Sequence, residues 1–304
     1  MRLTNKKSVL GHIAAVVTIS IWGVDFIASS VLLRSFTPFE ILFFRFGLAM
    51  LALNIAYPKR MGVTTWRQEL LLATAGLTGV TIYLISENSA LLYTSVANVA
   101  VIVAISPVFT GLLSWWLLRD TRPAGSFFVG FLLAICGIGM VSFAGGQLEL
   151  HPVGDFLAVV AALSWAFYSI ILKKISALDC HIIQITRRIF LYGLMFLVPA
   201  IFVIDFNFGL ERFLEAQNLI SILFLGLGTT AAGFVLWNFA LKQLGPVKTS
   251  VYIYLTPLVA VVASVLILND TLTWLKVGGI VLVLFGLVTS NRKLRSKNCI
   301  HSNK

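Results

Sequence analysis

The sequence predicts an all-α integral membrane protein in which ten transmembrane helices form two inverted five-helix repeats around a central cavity. Three observations predict it. Apolar residues make up 59% of the 304 and charged residues 12%, with a mean hydropathy of +0.95, a balance foreign to soluble proteins of this size. The apolar runs are long and unbroken, with no ten-residue alternating segments, so the backbone has to satisfy itself in helices and not in a barrel. The stretch Asn88 to Thr121 returns as Asn238 to Thr271. At an offset of 150, nine of 34 positions match: Asn88/Asn238, Ala90/Ala240, Leu91/Leu241, Val101/Val251, Pro107/Pro257, Ser114/Ser264, Leu118/Leu268, Asp120/Asp270 and Thr121/Thr271.

The predicted spans run over residues 10–32, 38–57, 68–91, 95–118, 123–144, 154–173, 181–204, 218–241, 247–268 and 272–290. Each holds some twenty residues, enough at about 1.5 Å per residue to cross a hydrocarbon core of roughly 30 Å. They are separated where turn chemistry or charge interrupts the pattern: Thr37-Pro38, Tyr57-Pro58-Lys59-Arg60, Arg119-Asp120-Thr121-Arg122-Pro123, Gly145-Gly146 and Gly245-Pro246. The first span follows basic residues and lacks an Ala-x-Ala-type cleavage site, so it is expected to stay in the protein.

Charge sets the orientation. With the N-terminus inside, inner segments carry 17 of the Lys and Arg residues and outer ones only Arg34, Arg212 and Lys276; Arg45, Arg187 and Arg188 fall inside spans. Cytoplasmic loops carry such an excess, so both termini are expected in the cytoplasm. The boundary between halves falls around Gly145 to Gly154. This gives a first repeat over 10–144, a second over 154–290 and a basic cytoplasmic tail over 291–304. Five spans per half invert the second half relative to the first, an arrangement of secondary transporters whose substrate sites lie at the midplane between repeats. At an offset of 143, Trp22 falls on Trp165 and Arg45 on Arg188.

Trp22-Gly23-x-x-Phe26, Pro38 followed by Arg45, and Glu87-Asn88-x-Ala90-Leu91-x-Tyr93-Thr94-Ser95 leading to Pro107 resemble one EamA-type domain of the drug/metabolite transporter superfamily. Ser164-Trp165-Ala166-x-Tyr168, Arg188, Asn238-x-Ala240-Leu241, Gly245-Pro246 and Thr256-Pro257 resemble a second, and together they cover about residues 10 to 290. The resemblance implies a ten-helix transporter with a central cavity, spans five and ten being peripheral, that moves small metabolites, very often outward. Asp25 departs from the family pattern, where an uncharged residue is usual, and Arg188 stands beside a second arginine, Arg187.

Ionisable groups in apolar spans are the first candidates for function, because placing one at the bilayer centre costs on the order of 3 kcal/mol. Arg45 is expected to hold an anionic substrate group, and Asp25 or Glu87 a cationic group or a proton; the alternative is a structural ion pair. Arg188 is the cavity candidate of the second half, with Arg187 an anchor snorkelling to the interface. Pro107 and Pro257, each near a span middle, remove a backbone donor and loosen the helix at Val103 and Ile253, which marks a hinge or a site. Asn88 and Asn238 are suited to bonding between helices. Trp22, Trp165, Tyr168, Tyr252 and Tyr254 are candidates for an aromatic cavity wall. Ala75-x-x-x-Gly79, Thr229-x-x-x-Gly233 and the cluster Gly278, Gly279 and Gly286 allow close helix packing.

Other chemistries find no support. The net charge of +11 sits beside the membrane, which argues against a nucleic-acid partner. Cys136, Cys180 and Cys299 form no disulfide or metal pattern, and His12, His151, His181 and His301 have no metal-ligand spacing. There is no Walker A, His-Glu-x-x-His or Gly-x-Ser-x-Gly sequence. The reading is therefore a cofactor-free secondary transporter of the cell membrane that exports a small polar or amphipathic metabolite such as an amino acid. Its expected partners are the substrate and the lipid bilayer, with room for a homodimer. The rival classes are an intramembrane lipid-modifying enzyme and a non-transporting scaffold.

Overall fold

The computed structural model describes residues 2–62, 65–94, 96–120, 123–143, 151–178, 180–201, 206–259, 262–263 and 273–291. Among them there is no strand, and every apolar run is helical. Residues 145–150 of the predicted half boundary, the second-copy residues Ser264, Leu268, Asp270 and Thr271, and the basic tail from Arg292 with Cys299 and His301 lie outside the described residues, as do Ser95, Thr121 and Arg122.

Among the described residues six segments are long and apolar enough to cross a membrane: Lys7–Leu32, Pro38–Ala56, Trp66–Ala90, Pro152–Ile175, Ile182–Pro199 and Ala216–Leu244. Gly125–Met140 and Trp274–Ser290 are shorter apolar helices. The first helix, α1, is Arg2–Leu32. The second, α2 (Pro38–Ala56), opens on a capping box: Thr37 N–H donates to Glu40 Oε2 at 2.8 Å and Glu40 N–H to Thr37 Oγ1 at 3.3 Å, with Pro38 in the first turn. A second capping box, Thr65 with Gln68, opens α3 (Trp66–Gly76).

From α3 the chain passes without a break through a π-helical stretch, Leu77–Ile82, into α4 (Tyr83–Ala90). The predicted fourth span is interrupted: α5 (Val96–Val103) ends two residues before α6 (Ser106–Leu117), whose first turn contains Pro107. Then follow α7 (Gly125–Phe143), α8 (Pro152–Ile175) and α9 (Ile182–Ile201). After a 3-10 turn at Leu210–Leu214, α10 (Ala216–Leu223) leads through a second π-helical stretch, Phe224–Gly233, into α11 (Phe234–Leu244). Gly245, at φ +83°, makes the left-handed turn that lets Pro246 start α12 (Pro246–Ser250). A 3-10 segment, Val251–Leu255, precedes Pro257, and α13 is Trp274–Asn291.

The N-terminal and C-terminal parts of the chain pack mainly on each other: α1 on α11, α2 on the second π stretch and α9, α3 on α9, and α8 on α4 and α6. The pair α7 and α13 packs closely on itself and joins the rest through a core in which Phe127, Ala134, Ile138 and Val283 meet Ala104, Val251, Tyr254 and Leu258. A Cβ added at Gly286 would lie 2.6 Å from the carbonyl oxygen of Gly130, so only glycine permits this approach. Large apolar side chains cover the outside, among them Ile55, Trp116, Leu132 and Phe285, as suits a chain whose surrounding solvent is hydrocarbon.

Candidate functional site

Asp25, on α1, and Arg45, on α2, approach from antiparallel helices. Arg45 Nη2 donates to Asp25 Oδ1 at 2.8 Å, and Arg45 is 1% exposed. Burial of a guanidinium demands more than one partner, and the second π stretch supplies them. Arg45 Nε donates to Thr230 Oγ1 at 2.8 Å and Nη2 to Thr229 Oγ1 at 2.7 Å. The other oxygen of Asp25 accepts from Ser29 Oγ at 3.2 Å. Arg45 Nη1 is buried without a hydrogen-bond partner among the described residues.

This ion pair lies on the wall of a cavity between the helices. Glu87, on α4, also lines it and accepts a 2.7 Å hydrogen bond from Tyr83 Oη. Trp22 and Trp165 supply an aromatic wall with ring centroids 5.3 Å apart, edge to face, continued by Phe234 and Tyr83. Trp22 is fixed by its indole N–H, which donates to the Thr229 carbonyl at 3.0 Å. Phe26 of α1, Leu84 of α4, Ala100 and Val103 of α5, Ile253 of the second 3-10 segment and Thr256 complete the lining. The walls therefore come from both repeat copies, and the interrupted helices before Pro107 and Pro257 both border the space.

Five of the eleven residues predicted to bind substrate line this cavity: Trp22, Asp25, Arg45, Glu87 and Trp165. The others lie elsewhere. Tyr168 is buried behind Trp165 and donates to Asn238 Oδ1 at 2.6 Å, while Asn238 Nδ2 donates to Thr186 Oγ1 at 2.9 Å; this is a bond network between helices. Asn88 turns back to its own helix and donates to the Leu84 carbonyl at 2.9 Å. Tyr252 pairs with His12, Oη to Nδ1 2.7 Å, and Tyr254 packs with Ala104 and Val251. Helix rotation, which a continuous apolar run does not encode, decides each of these placements.

The repeat mate of Arg45 is also placed differently. Arg188 donates from Nε and Nη2 to both oxygens of Glu69, at 3.1 and 2.9 Å, far along α2 from Arg45, in a second crevice beside Arg187. The repeat alignment predicts a cavity role for Arg188 because its mate has one; the carboxylate of Glu69 at the start of α3 provides a nearer partner. Thr230, Tyr83 and Phe234 do not stand out in the sequence, and Thr229 stands out there only for close helix packing. Ordinary residue types carry no signal for a π-helical turn, and it is that turn which presents both threonines to Arg45.

An uncharacterized transporter of Archaeoglobus fulgidus is 28% identical, the match covering 92% of this chain and 98% of that protein. The uncharacterized transporter YcxC of Bacillus subtilis is 25% identical over 94% of each chain. A protein of Streptantibioticus cattleyicolor named a probable terminal-alkyne amino-acid exporter is 26% identical over 92% of this chain and 93% of that one. A crystal structure only 17% identical shares the fold, with a TM-score of 0.74 over 96% of this chain and 99% of that chain. These relatives are named transporters, and the apolar helices make this chain a multi-pass membrane protein. One family model matches twice, over residues 9–143 and 152–292, and by that match across nearly its whole length the chain belongs to the EamA-like transporter family.

Proposed function

We propose that this transporter moves a small zwitterionic or amphipathic metabolite, of which an amino acid is the leading type, outward across the cell membrane by alternating access. The observation that carries this reading is the central cavity, where an ion pair, a separate carboxylate and an aromatic wall face one space. A substrate carboxylate is drawn to Arg45, whose Nη1 lacks a partner among the described residues. A substrate ammonium, or a coupling proton, goes to Glu87 or Asp25. The apolar part of the substrate lies against Trp22 and Trp165. Ten spans in two inverted halves, with both termini cytoplasmic, let the halves rock about this fixed site, Pro107 and Pro257 absorbing the motion. Outward direction and the amino-acid class are supported by the name of the exporter from Streptantibioticus cattleyicolor.

The test is efflux of a labelled panel of amino acids and other metabolites from proteoliposomes, with and without a pH gradient. Movement of an amino acid that follows the gradient is the expected result. Movement without response to pH would remove proton coupling, and no movement of any panel member in protein that is correctly inserted would overturn the transport reading.

A further inference from the structure

The second crevice lies where α2 ends and α3 and α9 begin, and it has the composition of an anion site. Arg60, Arg187 and Arg188 line it against a single acid, Glu69. Glu69 is committed to Arg188, with which it forms the bidentate pair described above, and it accepts a further hydrogen bond from the Tyr192 hydroxyl. Arg187 is pinned but not neutralised. Its Nη1 donates to Asn54 Oδ1 and the Tyr57 carbonyl, both at 2.9 Å, and its Nη2 to the Lys59 carbonyl at 2.8 Å, so all three acceptors are uncharged. Gln184 holds the same loop through the Arg60 carbonyl at 2.8 Å, which fixes the backbone that carries the exposed Arg60 side chain over the crevice. Two positive charges therefore face this crevice without an acidic partner among the described residues.

The surroundings choose the anion. Met50 and Leu191 form one wall, and beside them Leu51, Ile55 and Met195 are apolar and exposed on the outer faces of α2 and α9. An anion seated among the arginines with an apolar surface running away from it is the geometry of a phospholipid: headgroup in the crevice, acyl chains along the helices. We propose that this crevice is a binding site for the phosphate of an anionic phospholipid, separate from the transport cavity, with Arg187 positioned by the loop and Arg60 closing over the headgroup. Basic pockets between membrane helices are suited to this role, whereas an inorganic phosphate would use the arginines and leave the apolar wall empty.

The experiment is native mass spectrometry of the full chain in detergent, titrated separately with palmitoyl-oleoyl phosphatidylglycerol and phosphatidylcholine. Phosphatidylglycerol is expected to be retained in preference to phosphatidylcholine. Arg60→Gln, on an exposed loop where folding is not at stake, should weaken retention about fivefold, and Arg60→Gln with Arg187→Gln by a further factor of similar size. Lys173→Gln, an exposed charge at the end of α8, should change nothing. Equal retention of the two lipids, or undiminished retention by Arg60→Gln and the double variant, would overturn the site. Displacement of phosphatidylglycerol by millimolar inorganic phosphate would show a soluble-anion site and overturn the lipid assignment.

Discussion

At the scale of single residues, the buried pair Asp25–Arg45 is where stability and the proposed transport function meet. A buried pair is weak evidence for stability as a whole, but removing one partner strands the other charge at a cost of about 3–5 kcal/mol. Arg45→Ala and Asp25→Ala are each expected to lower the thermal stability of the purified protein, and the double variant should lose less than the sum of the two. A coupling above about 1 kcal/mol in a double-mutant cycle is the expected measurement; additivity would mean that the threonines, and not Asp25, carry the guanidinium. Arg45→Lys keeps the charge but has no planar fork to reach Asp25, Thr229 and Thr230 together, so transport should fall at least tenfold while membrane insertion is retained. Glu87 has a different weight. Among the described residues its side chain is bonded to Tyr83 alone, so Glu87→Gln should leave the fold intact. The same substitution should flatten the dependence of efflux on the pH gradient, and an unchanged pH response in both Glu87→Gln and Asp25→Asn would remove protonation from the mechanism.

At the scale of elements, the positions of prolines and ions were legible in the sequence, and helix winding and rotation were not. Pro107 and Pro257 announce a weakened helix through their missing N–H, and α5 does end at Val103 while Ile253 sits within a 3-10 segment. Asp25 and Arg45 stood out because charges in apolar spans demand partners. The two π-helical stretches left no such trace. Leu77–Ile82, displaced by 150, falls within Phe224–Gly233, so both copies of the repeat carry this rare winding in the same place. A π turn is imposed by the fit of neighbouring helices. Gly79 illustrates that fit: a Cβ there would lie 2.3 Å from Cδ2 of Tyr168, whose hydroxyl is held by Asn238. Gly79→Ala should therefore displace the Tyr168 ring and cost about 1–3 kcal/mol, read as a lower melting temperature. Gly286→Ala meets a backbone carbonyl and not a ring edge, so a loss at least as large is expected from the α7–α13 pair.

At the scale of the whole molecule, the two clusters at opposite ends of α2 tie the C-terminal part of the chain to the N-terminal part. At one end Arg212 Nη1 donates to Glu40 Oε2 at 3.0 Å, and the Asn207 N–H donates to Glu40 Oε1 at 2.8 Å. At the other, Arg187 and Gln184 hold the loop after Tyr57, and Arg188 holds Glu69. The separation along α2 is on the order of 25 Å, close to the thickness of the hydrocarbon core. If the lysine and arginine excess sets the orientation, the Arg187 end is cytoplasmic and the Arg212 end external. This can be measured with single cysteines in a background lacking Cys136, Cys180 and Cys299. Asn207→Cys should react with a membrane-impermeant maleimide on intact cells, and Arg60→Cys only after permeabilisation; the opposite pattern would reverse the topology. With the orientation fixed, the clusters become separable latches. On the proposed alternating-access mechanism, rocking of one half on the other would have to break one cluster while the other holds, since both join the same two parts of the chain. Glu69→Gln weakens the inner latch alone and should raise the labelling of a cavity cysteine at Val103 from the cytoplasmic side, whereas Arg212→Gln should raise it from outside. If neither variant changed the sidedness of labelling, the clusters would be fixed struts and the moving contact would have to be sought at the interrupted helices before Pro107 and Pro257.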